Sequence, residues 1–331
     1  MKKVPLKTKK EAGPKLPGYL PWRMWEPMTL ALLAAGAFLV FNLAHIADAA
    51  GATNFCRLTT ENALHSCRTG AQSDHWLALG KCDNVSDAAE RKDCQKQAQS
   101  DLKDARQSCN DQQDARDAVC KELGGAPYDP VINPANFSAA ITNRLLPLTP
   151  GTTFVYESPT EINEVVVTSN TKQILGATCL EVHDTVKLKP SSDLTEDTLD
   201  WFCQDTAGNV WYFGENTKQL EGGLIVGLEG AWTAGVDGAK PGIAMKANPA
   251  VGDVYRQEFL LGVAEDIGEV LSLTESVTVP FGSFTNCLKT KDTSPLEPDA
   301  IEHKFYCLDI GLVLTIDVNT GAREELVSKT P

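Results

Sequence analysis

Two different patterns of polar and apolar residues follow each other along the chain. From about Thr53 to Leu123 large apolar residues are few, and residues 86–123 contain no Gly or Pro. This predicts one long helix that begins near Ser86 as its N-cap and ends at Gly124. Glycines interrupt the arm that precedes it, so we expect two shorter helices there. From Thr152 onward apolar and polar residues alternate, which is typical of β-strands.

The alternating region predicts a run of short strands separated by turns. Asp205–Asn209 and Asn319–Gly321 have the composition of hairpin turns. Consecutive strands of this kind form an antiparallel meander, closed or half-open around an apolar interior. The predicted strands cover about 152–157, 162–169, 172–188, 197–204, 209–214, 224–233, 254–261, 267–279, 283–291, 301–308, 311–317 and 322–328.

Six cysteines in the helical region are spaced as a palindrome, with steps of 11, 15, 12, 15 and 11 residues. A helical hairpin folded near Ala88 would bring them together in nested pairs, because these steps are close to whole numbers of helical turns. Six cysteines allow 15 connectivities, and a metal cluster is the alternative to disulfides. Zinc and iron–sulfur sites prefer closer spacings, and the haem-binding C-x-x-C-H pattern is absent. The predicted disulfides are Cys56–Cys120, Cys67–Cys109 and Cys82–Cys94.

The fold class that follows is α+β with two domains, a disulfide-stapled antiparallel helical hairpin followed by an antiparallel β-meander. Four further cysteines lie in predicted strands, and an even number favours two more disulfides. The preferred pairs are Cys179–Cys287 and Cys203–Cys307. The predicted ranges are a basic N-terminus at 1–50, the hairpin at 51–124, a proline-rich linker at 125–150 and the β domain at 151–331.

The N-terminal segment has the features of an export signal. Basic residues precede an apolar run from Met28 to about Phe41, and Ala47-Asp48-Ala49 has the small-x-small form of a cleavage site. Cleavage near Ala49 would release the protein. An uncleaved segment would anchor it, with membrane contact through residues 22–50. Both alternatives place the rest of the chain on the periplasmic or extracellular side.

The net charge of the chain restricts the classes of partner that it can bind. The chain has a net charge of −14, and its first 49 residues carry seven basic against three acidic groups, which leaves −18 on the exported part. Such a surface repels phosphate backbones, so we expect no nucleic-acid partner. A protein partner, with a membrane complex as one form of it, is the expectation.

Three stretches of the β domain are the basis of a family resemblance. They are EDTLDWFCQDTAGNVWYFGE at 196–215, GAWTAGVDGAKPGIAMKANPAVG at 230–252, and residues 278–314 with VPFGSFTNCLKTKDTSPLEP and EHKFYCLDIGLV. The domain resembles a family of exported bacterial β-rich proteins, over about residues 150–317. The resemblance implies an exported β domain and no reaction. The family usually has smaller, non-cysteine residues at positions 203 and 307, which supports their pairing with each other.

The sequence contains few catalytic signatures. No nucleophile-elbow, zinc-protease, P-loop or dinucleotide pattern occurs, so we predict no catalytic residues, no metal and no cofactor. His183 and His303 have no metal-ligand spacing. Acidic residues cluster at 193–200 and at 265–269, and Asp317-x-Asn319-x-Gly321 forms a third group. None of the three matches the calcium-binding EF-hand pattern. Solvated turns explain them, and a carboxylate pair is the alternative. The Gly/Pro-rich stretch 230–253 is the candidate binding loop, with Trp232, Asp237, Lys240, Met245 and Asp253.

Three functions agree with these features. The first is an exported, non-catalytic binding or scaffold protein, with an accessory subunit of a membrane complex as its anchored form. The second is a periplasmic carrier of a lipid or other apolar ligand, which needs a large apolar cavity. The third is a hydrolase with carboxylates near residues 230–253, which needs converging acids and a histidine.

Overall fold

Two long antiparallel helices begin the described part of the chain, residues 53–331 of a computed structural model. Helix α1 covers Phe55–Asp83 and helix α2 covers Ala88–Leu123. Asn54 caps α1, and Gly124, with φ +85°, ends α2 in a conformation that favours glycine. The predicted N-terminal signal or anchor lies outside the described residues. Within residues 53–331, no helix combines the length and apolarity needed to span a membrane.

Two local predictions about the hairpin are wrong. The first arm is one continuous helix rather than two. A glycine within a helix costs only about 1 kcal/mol, and the disulfides on either side of Gly70 and Gly80 offset this cost. The N-cap of α2 is Asp87 rather than Ser86, since the Asp87 carboxylate accepts hydrogen bonds from Ala89 N and Glu90 N at 2.9 Å.

The nested pairing of the six hairpin cysteines is confirmed. Cα–Cα distances are 5.7 Å for Cys56–Cys120, 5.8 Å for Cys67–Cys109 and 5.5 Å for Cys82–Cys94. Between the disulfides the helices bury mainly small residues, among them Ala63, Ala71 and Ala98. Because the two helices bury so little apolar area against each other, this burial stabilises the pair only weakly. Each disulfide adds about 2–4 kcal/mol to the stability of the hairpin.

The strands form a nearly closed, barrel-like antiparallel sheet, which confirms the fold class predicted from the sequence. A single turn of 3₁₀ helix at Pro134–Asn136 precedes the strands. The strands are β1 Phe137–Ser138, β2 Thr153–Glu157, β3 Glu161–Ile174, β4 Ala177–Leu188, β5 Leu194–Asp205, β6 Val210–Glu221, β7 Leu224–Gly227, β8 Trp232–Thr233, β9 Lys240–Met245, β10 Val254–Arg256, β11 Glu258–Phe259, β12 Ile267–Val279, β13 Gly282–Ser294, β14 Glu297–Cys307, β15 Gly311–Asp317 and β16 Arg323–Thr330. Thirteen of them follow one path, in the order β10-β12-β13-β14-β15-β16-β2-β3-β4-β5-β6-β9-β11.

One chain segment, Val254–Phe259, belongs to both ends of this path. Its first half pairs with β12 and its second half pairs with β9. A side chain at Gly242 would collide with the backbone of Gln257, so only glycine allows the strands to approach this closely. We call Val254–Phe259 the closing segment.

The two disulfides predicted in the β domain are wrong. The structure pairs Cys179 with Cys203 and Cys287 with Cys307, at Cα–Cα distances of 4.6 and 4.4 Å. The reason is strand order: β4 pairs with β5 and β13 with β14, so each disulfide joins directly opposed residues of two adjacent strands. The predicted pairs would join strands that lie far apart in the sheet.

The interior of the barrel is divided into two halves. In one half apolar side chains pack together, among them Phe154, Leu180 and Leu326, and linker residues Ile141 and Leu148 join the same core. In the other half many interior positions carry carboxylates. We call the end of the hairpin where α1 begins and α2 ends the hairpin foot. It is attached beside the carboxylate half, where Gln112 donates to the carbonyl oxygen of Leu296 at 3.0 Å.

A buried ion pair joins the hairpin to the sheet. Arg116 donates to both carboxylate oxygens of Glu265, Nε to Oε2 at 2.8 Å and Nη2 to Oε1 at 2.6 Å. The two side chains are 7% and 2% exposed. Each charge therefore depends on the other for its solvation.

We expect Arg116→Ala to lower the free energy of unfolding by about 3–5 kcal/mol, because it leaves the Glu265 carboxylate buried and unpaired. Denaturant titration followed by circular dichroism measures this. The control is Arg57→Ala, whose ion pair with Glu61 is exposed and should cost less than about 1 kcal/mol. Equal losses in the two variants would contradict a structural role for the buried pair.

We expect mild reduction to open the hairpin before the sheet. The cysteines of the sheet are at most 2% exposed, whereas Cys56, Cys67, Cys94 and Cys120 keep part of their surface accessible. Alkylation at increasing reductant, with mass mapping, should label the hairpin first while far-UV circular dichroism loses helix signal. Earlier labelling of Cys179 or Cys287 would contradict this order.

Candidate functional site

The five residues predicted as a binding loop do not share one surface. Met245 is fully buried in the barrel core. Lys240 pairs with Asp129 at 2.5 Å, and Asp253 pairs with Lys246 at 2.6 Å. Trp232 is 4% exposed, and Asp237 is exposed at φ +51°. Of the five, Trp232 and Asp237 line one open cleft of about 330 Å³. The binding role of the loop stays a prediction.

The carboxylate half of the barrel interior is the more distinctive site. Alternation along the strands places its members, since on β4 the side chains of Leu180, Val182 and Asp184 face inward in turn. The register carries the same face across to β5 and β6, where Asp200 is directly opposite Glu215. We call these residues the acidic wall: Asp184, Glu196, Asp200, Glu215, Glu258, Asp266, Asp292, Glu302 and Glu324.

The sequence analysis explained three members of the acidic wall, Glu196, Asp200 and Asp266, by solvated turns. Glu196 and Asp200 lie within β5, and Asp266 directly precedes β12. The remaining six lie one on each of six other strands. Polar and apolar residues alternate around these six positions. This pattern could have identified them as inward-facing, once the inward face of each strand is known.

Lys304 neutralises part of the acidic wall. Its Nζ lies 3.1 Å from Asp292 Oδ2 and 3.4 Å from Glu302 Oε2. Burial alone would lower the pKa of this ammonium, but the attraction of Asp292 and its neighbours outweighs burial and holds the pKa well above its usual value. Lys304 is therefore charged whenever the wall is.

Burial raises the pKa of several wall carboxyls. The pKa of Asp184 rises to about 7, and that of Glu215 also rises to about 7, first through burial and then through repulsion from neighbouring carboxylates. The same causes raise the pKa of Asp200 and of Glu258 well above the usual range. Hydrogen bonds from Tyr212 to Asp200 and from Trp232 to Glu258 oppose this only in part.

Two buried polar atoms, one in the acidic wall and one on the neighbouring strand, lack hydrogen-bond partners. Asp184 Oδ1 on β4 and Asn163 Oδ1 on β3 are buried and accept no hydrogen bond. Unpartnered buried acceptors are rare, and each costs about 1–3 kcal/mol. At the same time Asp184, Asp200, Glu215 and Asp266 keep part of their residue surface accessible. The wall is therefore not completely sealed from solvent.

The arrangement fits neither a metal centre nor acid–base catalysis by histidine. Among residues 53–331, no three acidic, histidine or cysteine side chains are placed to hold a metal ion. His183 is on the opposite face of β4, 3.2 Å from Asp197 Oδ1, and His303 is on the outer face of β14 next to Lys289 and Lys291.

Fold and disulfides together define the class of protein. It is a disulfide-rich α+β protein whose helical hairpin is fixed to a nearly closed antiparallel sheet. Five disulfides, with no free cysteine among the described residues, indicate an extracytoplasmic protein.

Comparison with known proteins adds little to this description. No family model matches the chain, and no curated protein matches it. Among solved structures, a "putative lipoprotein" from Parabacteroides distasonis is similar at 15% identity and a TM-score of 0.32, covering 57% of this chain and 99% of its own.

We expect the unfolding free energy to fall as the pH rises from about 4 to 7. In this window the folded state holds protons on Asp184 and Glu215 that the unfolded state has lost, so raising the pH favours unfolding. The variant Asp184→Asn/Glu215→Gln lacks these groups. Its stability should exceed that of the natural protein by an amount that grows by about 4–6 kcal/mol across the window, since each group contributes up to about 3 kcal/mol.

Denaturant titrations at several pH values measure the difference. Asp104→Asn, which removes an exposed acid of α2, is the control and should follow the natural protein at each pH. A double variant whose pH profile is parallel to that of the natural protein would show that these carboxyls are ionised normally.

Proposed function

We propose that this is an extracytoplasmic, non-catalytic binding protein that accepts a cationic side chain of a partner protein at the acidic wall. The observation that carries the proposal is the concentration of nine carboxyls on one half of the barrel interior, with Lys304 in contact with two of them. Folding alone does not favour this arrangement, because buried like charges raise each other's pKa and destabilise the folded state.

A bound cation would remove this cost. An ammonium or guanidinium group supplies both positive charge and hydrogen-bond donors to carboxylates that have too few of them. Aromatic rings lie beside the carboxyls: Tyr212 stacks on Phe202 at 4.8 Å and meets Trp232 edge-on at 5.4 Å. Such rings also attract cations. Lysine and arginine side chains have this combination of charge and apolar stem.

The helical hairpin supports a protein as the partner. At 1.5 Å per residue, α1 and α2 are about 44 and 54 Å long. The hydrogen bonds and ion pairs described between α2 and the sheet begin at Gln112, near its end. On the outer arm Trp76 and Leu77 are each 64% exposed on adjacent positions. A stiff arm with an exposed aromatic residue suits protein contact.

The N-terminal segment decides which form the partner complex takes. If residues 22–50 are retained, the protein is an accessory subunit of a membrane complex, held beside its partner. If the chain is cleaved near Ala49, the same binding surfaces act free of the membrane.

The other two functions have less support. An apolar carrier needs an empty apolar interior, but Leu180, Val210 and Met245 fill that half of the barrel. A hydrolase near residues 230–253 needs converging acids, but Asp237 is exposed and Asp253 is paired with Lys246. Neither predicted histidine faces the acidic wall.

We expect a hexalysine peptide to bind the full chain, and to bind it more tightly at pH 8 than at pH 5, because Asp184 and Glu215 ionise near pH 7. Isothermal titration calorimetry measures this. Asp200→Asn/Glu215→Gln should weaken binding by at least about tenfold. A hexaglutamate peptide should not bind.

The matched control is Asp101→Asn/Asp104→Asn, which removes the same charge from the exposed face of α2. It should change the affinity by less than about threefold, since exposed charges act weakly and are screened. If both double variants weaken binding equally, the peptide senses only net charge, and the proposal fails.

A further inference from the structure

A partly open cavity lies at the foot of the hairpin, where α1 begins and α2 ends. It is a cavity of about 340 Å³ between the first turns of α1, the last turns of α2, the linker and the sheet. Its apolar lining includes Phe55, Leu58 and Phe259, of which Phe55 and Leu58 are 47% and 45% exposed at the rim. The volume is at the small end of the range for ligand sites.

Arg256 lines this cavity without a hydrogen-bond acceptor. Its guanidinium carbon lies 4.7 Å from the ring centre of Phe259 and 5.4 Å from that of Tyr128. Within residues 53–331, no oxygen accepts a hydrogen bond from this guanidinium. Burial is the main cause that lowers its pKa, so the cation is poorly solvated. A guanidinium has five N–H donors and stays charged, so it needs an acceptor.

The neighbouring polar groups are already occupied. Both oxygens of Glu265 accept from Arg116, and Oε1 also accepts from Gly262 N at 2.7 Å. The Tyr128 hydroxyl donates to the carbonyl oxygen of Pro241 at 2.8 Å. The cavity therefore contains two guanidinium groups against one carboxylate, and the uncommitted positive charge is that of Arg256.

We propose that Arg256 binds the carboxylate of a small amphipathic anion, whose apolar body lies in the cavity against Phe55, Leu58 and Phe259. A carboxylate matches the fork of a guanidinium with two parallel hydrogen bonds. The rings of Tyr128 and Phe259 hold the guanidinium of Arg256 in place, so the arginine loses little side-chain freedom when it binds the ligand.

The charge of the cavity selects a monoanion. Glu265 is close enough to act on the Arg256 charge and would repel a second negative charge on the ligand. One uncommitted guanidinium balances one carboxylate. A phosphate dianion without an apolar body would gain nothing from the lining and would meet this repulsion.

Octanoate is the probe for the full chain, compared with octanol, octylammonium and inorganic phosphate in isothermal titration calorimetry. We expect octanoate to bind with a Kd below about 1 mM. Octanol should bind at least about tenfold more weakly, because it lacks the charge that pairs with Arg256. Octylammonium and phosphate should bind still more weakly or not at all.

Arg256→Gln should weaken octanoate binding by at least about tenfold, and Arg256→Lys by an intermediate factor because it keeps the charge but loses the fork. Arg68→Gln, which removes an exposed arginine of α1, is the charge-matched control and should leave the affinity unchanged. Circular dichroism checks that each variant is folded.

Titrating the natural protein with octanoate, followed by NMR, tests the proposal without any variant. The Arg256 Nε–H resonance should shift in step with octanoate occupancy and not with octanol. Equal affinity for octanoate and octanol, an unmoved Arg256 resonance, or no binding of octanoate at millimolar concentration would each overturn the proposal.

Discussion

Closure of the sheet by the segment Val254–Phe259 is the constraint on which the described structure depends. The segment pairs with β12 on one side and with β9 on the other, so strands from the two ends of a thirteen-strand path meet there. Without closure, β4–β6 and β12–β14 would be distant parts of an open sheet. With it, their inward faces surround one interior, and carboxyls that are far apart in sequence become neighbours. The like-charge interaction between Glu215 and Asp266 is a direct consequence.

The interior is divided into an apolar half, which stabilises the fold, and a carboxylate half, which carries the proposed binding site. Phe154, Leu180 and Leu326 with the linker residue Ile141 form a filled core, and burying such side chains contributes about 1.5–3 kcal/mol each. This contribution can offset a destabilised half in which acids are held at raised pKa values. A protein interior that served only stability would replace these acids with apolar residues. Their presence supports the proposed binding role of the wall, since binding sites commonly keep groups that cost stability.

Much of the fold could be predicted from the sequence, because its signals are local or periodic. The cysteine palindrome needs only helix geometry and antiparallel symmetry, and it led to the correct three pairs. The two disulfides of the sheet were mispredicted because pairing depends on strand order. Separations of 24 and 20 residues between Cys179 and Cys203 and between Cys287 and Cys307 are those of a long hairpin, a local signal that points to the observed pairs. The continuous strand predicted at 172–188 was wrong for a similar reason, since Leu175 and Gly176, both with positive φ, turn the chain between β3 and β4.

The candidate sites could not be predicted in the same way, because both are made by closure. The sequence shows Glu196 and Asp200 as part of an acidic cluster, but only the sheet shows that Asp200 is opposite Glu215 and that Glu196 shares its inward face with Asp184. Arg256 carries no signal at all in the sequence. Its importance comes from the two rings beside it and from the hairpin foot that covers it. The closing segment contributes Arg256 to the cavity and Glu258 to the acidic wall, two positions apart. Its backbone is hydrogen-bonded on both sides of the closure, so main-chain geometry fixes the positions of both side chains. A fixed position matters most for Arg256, whose guanidinium can meet a ligand carboxylate without first breaking an internal hydrogen bond, whereas Glu258 already accepts one from Trp232 Nε1.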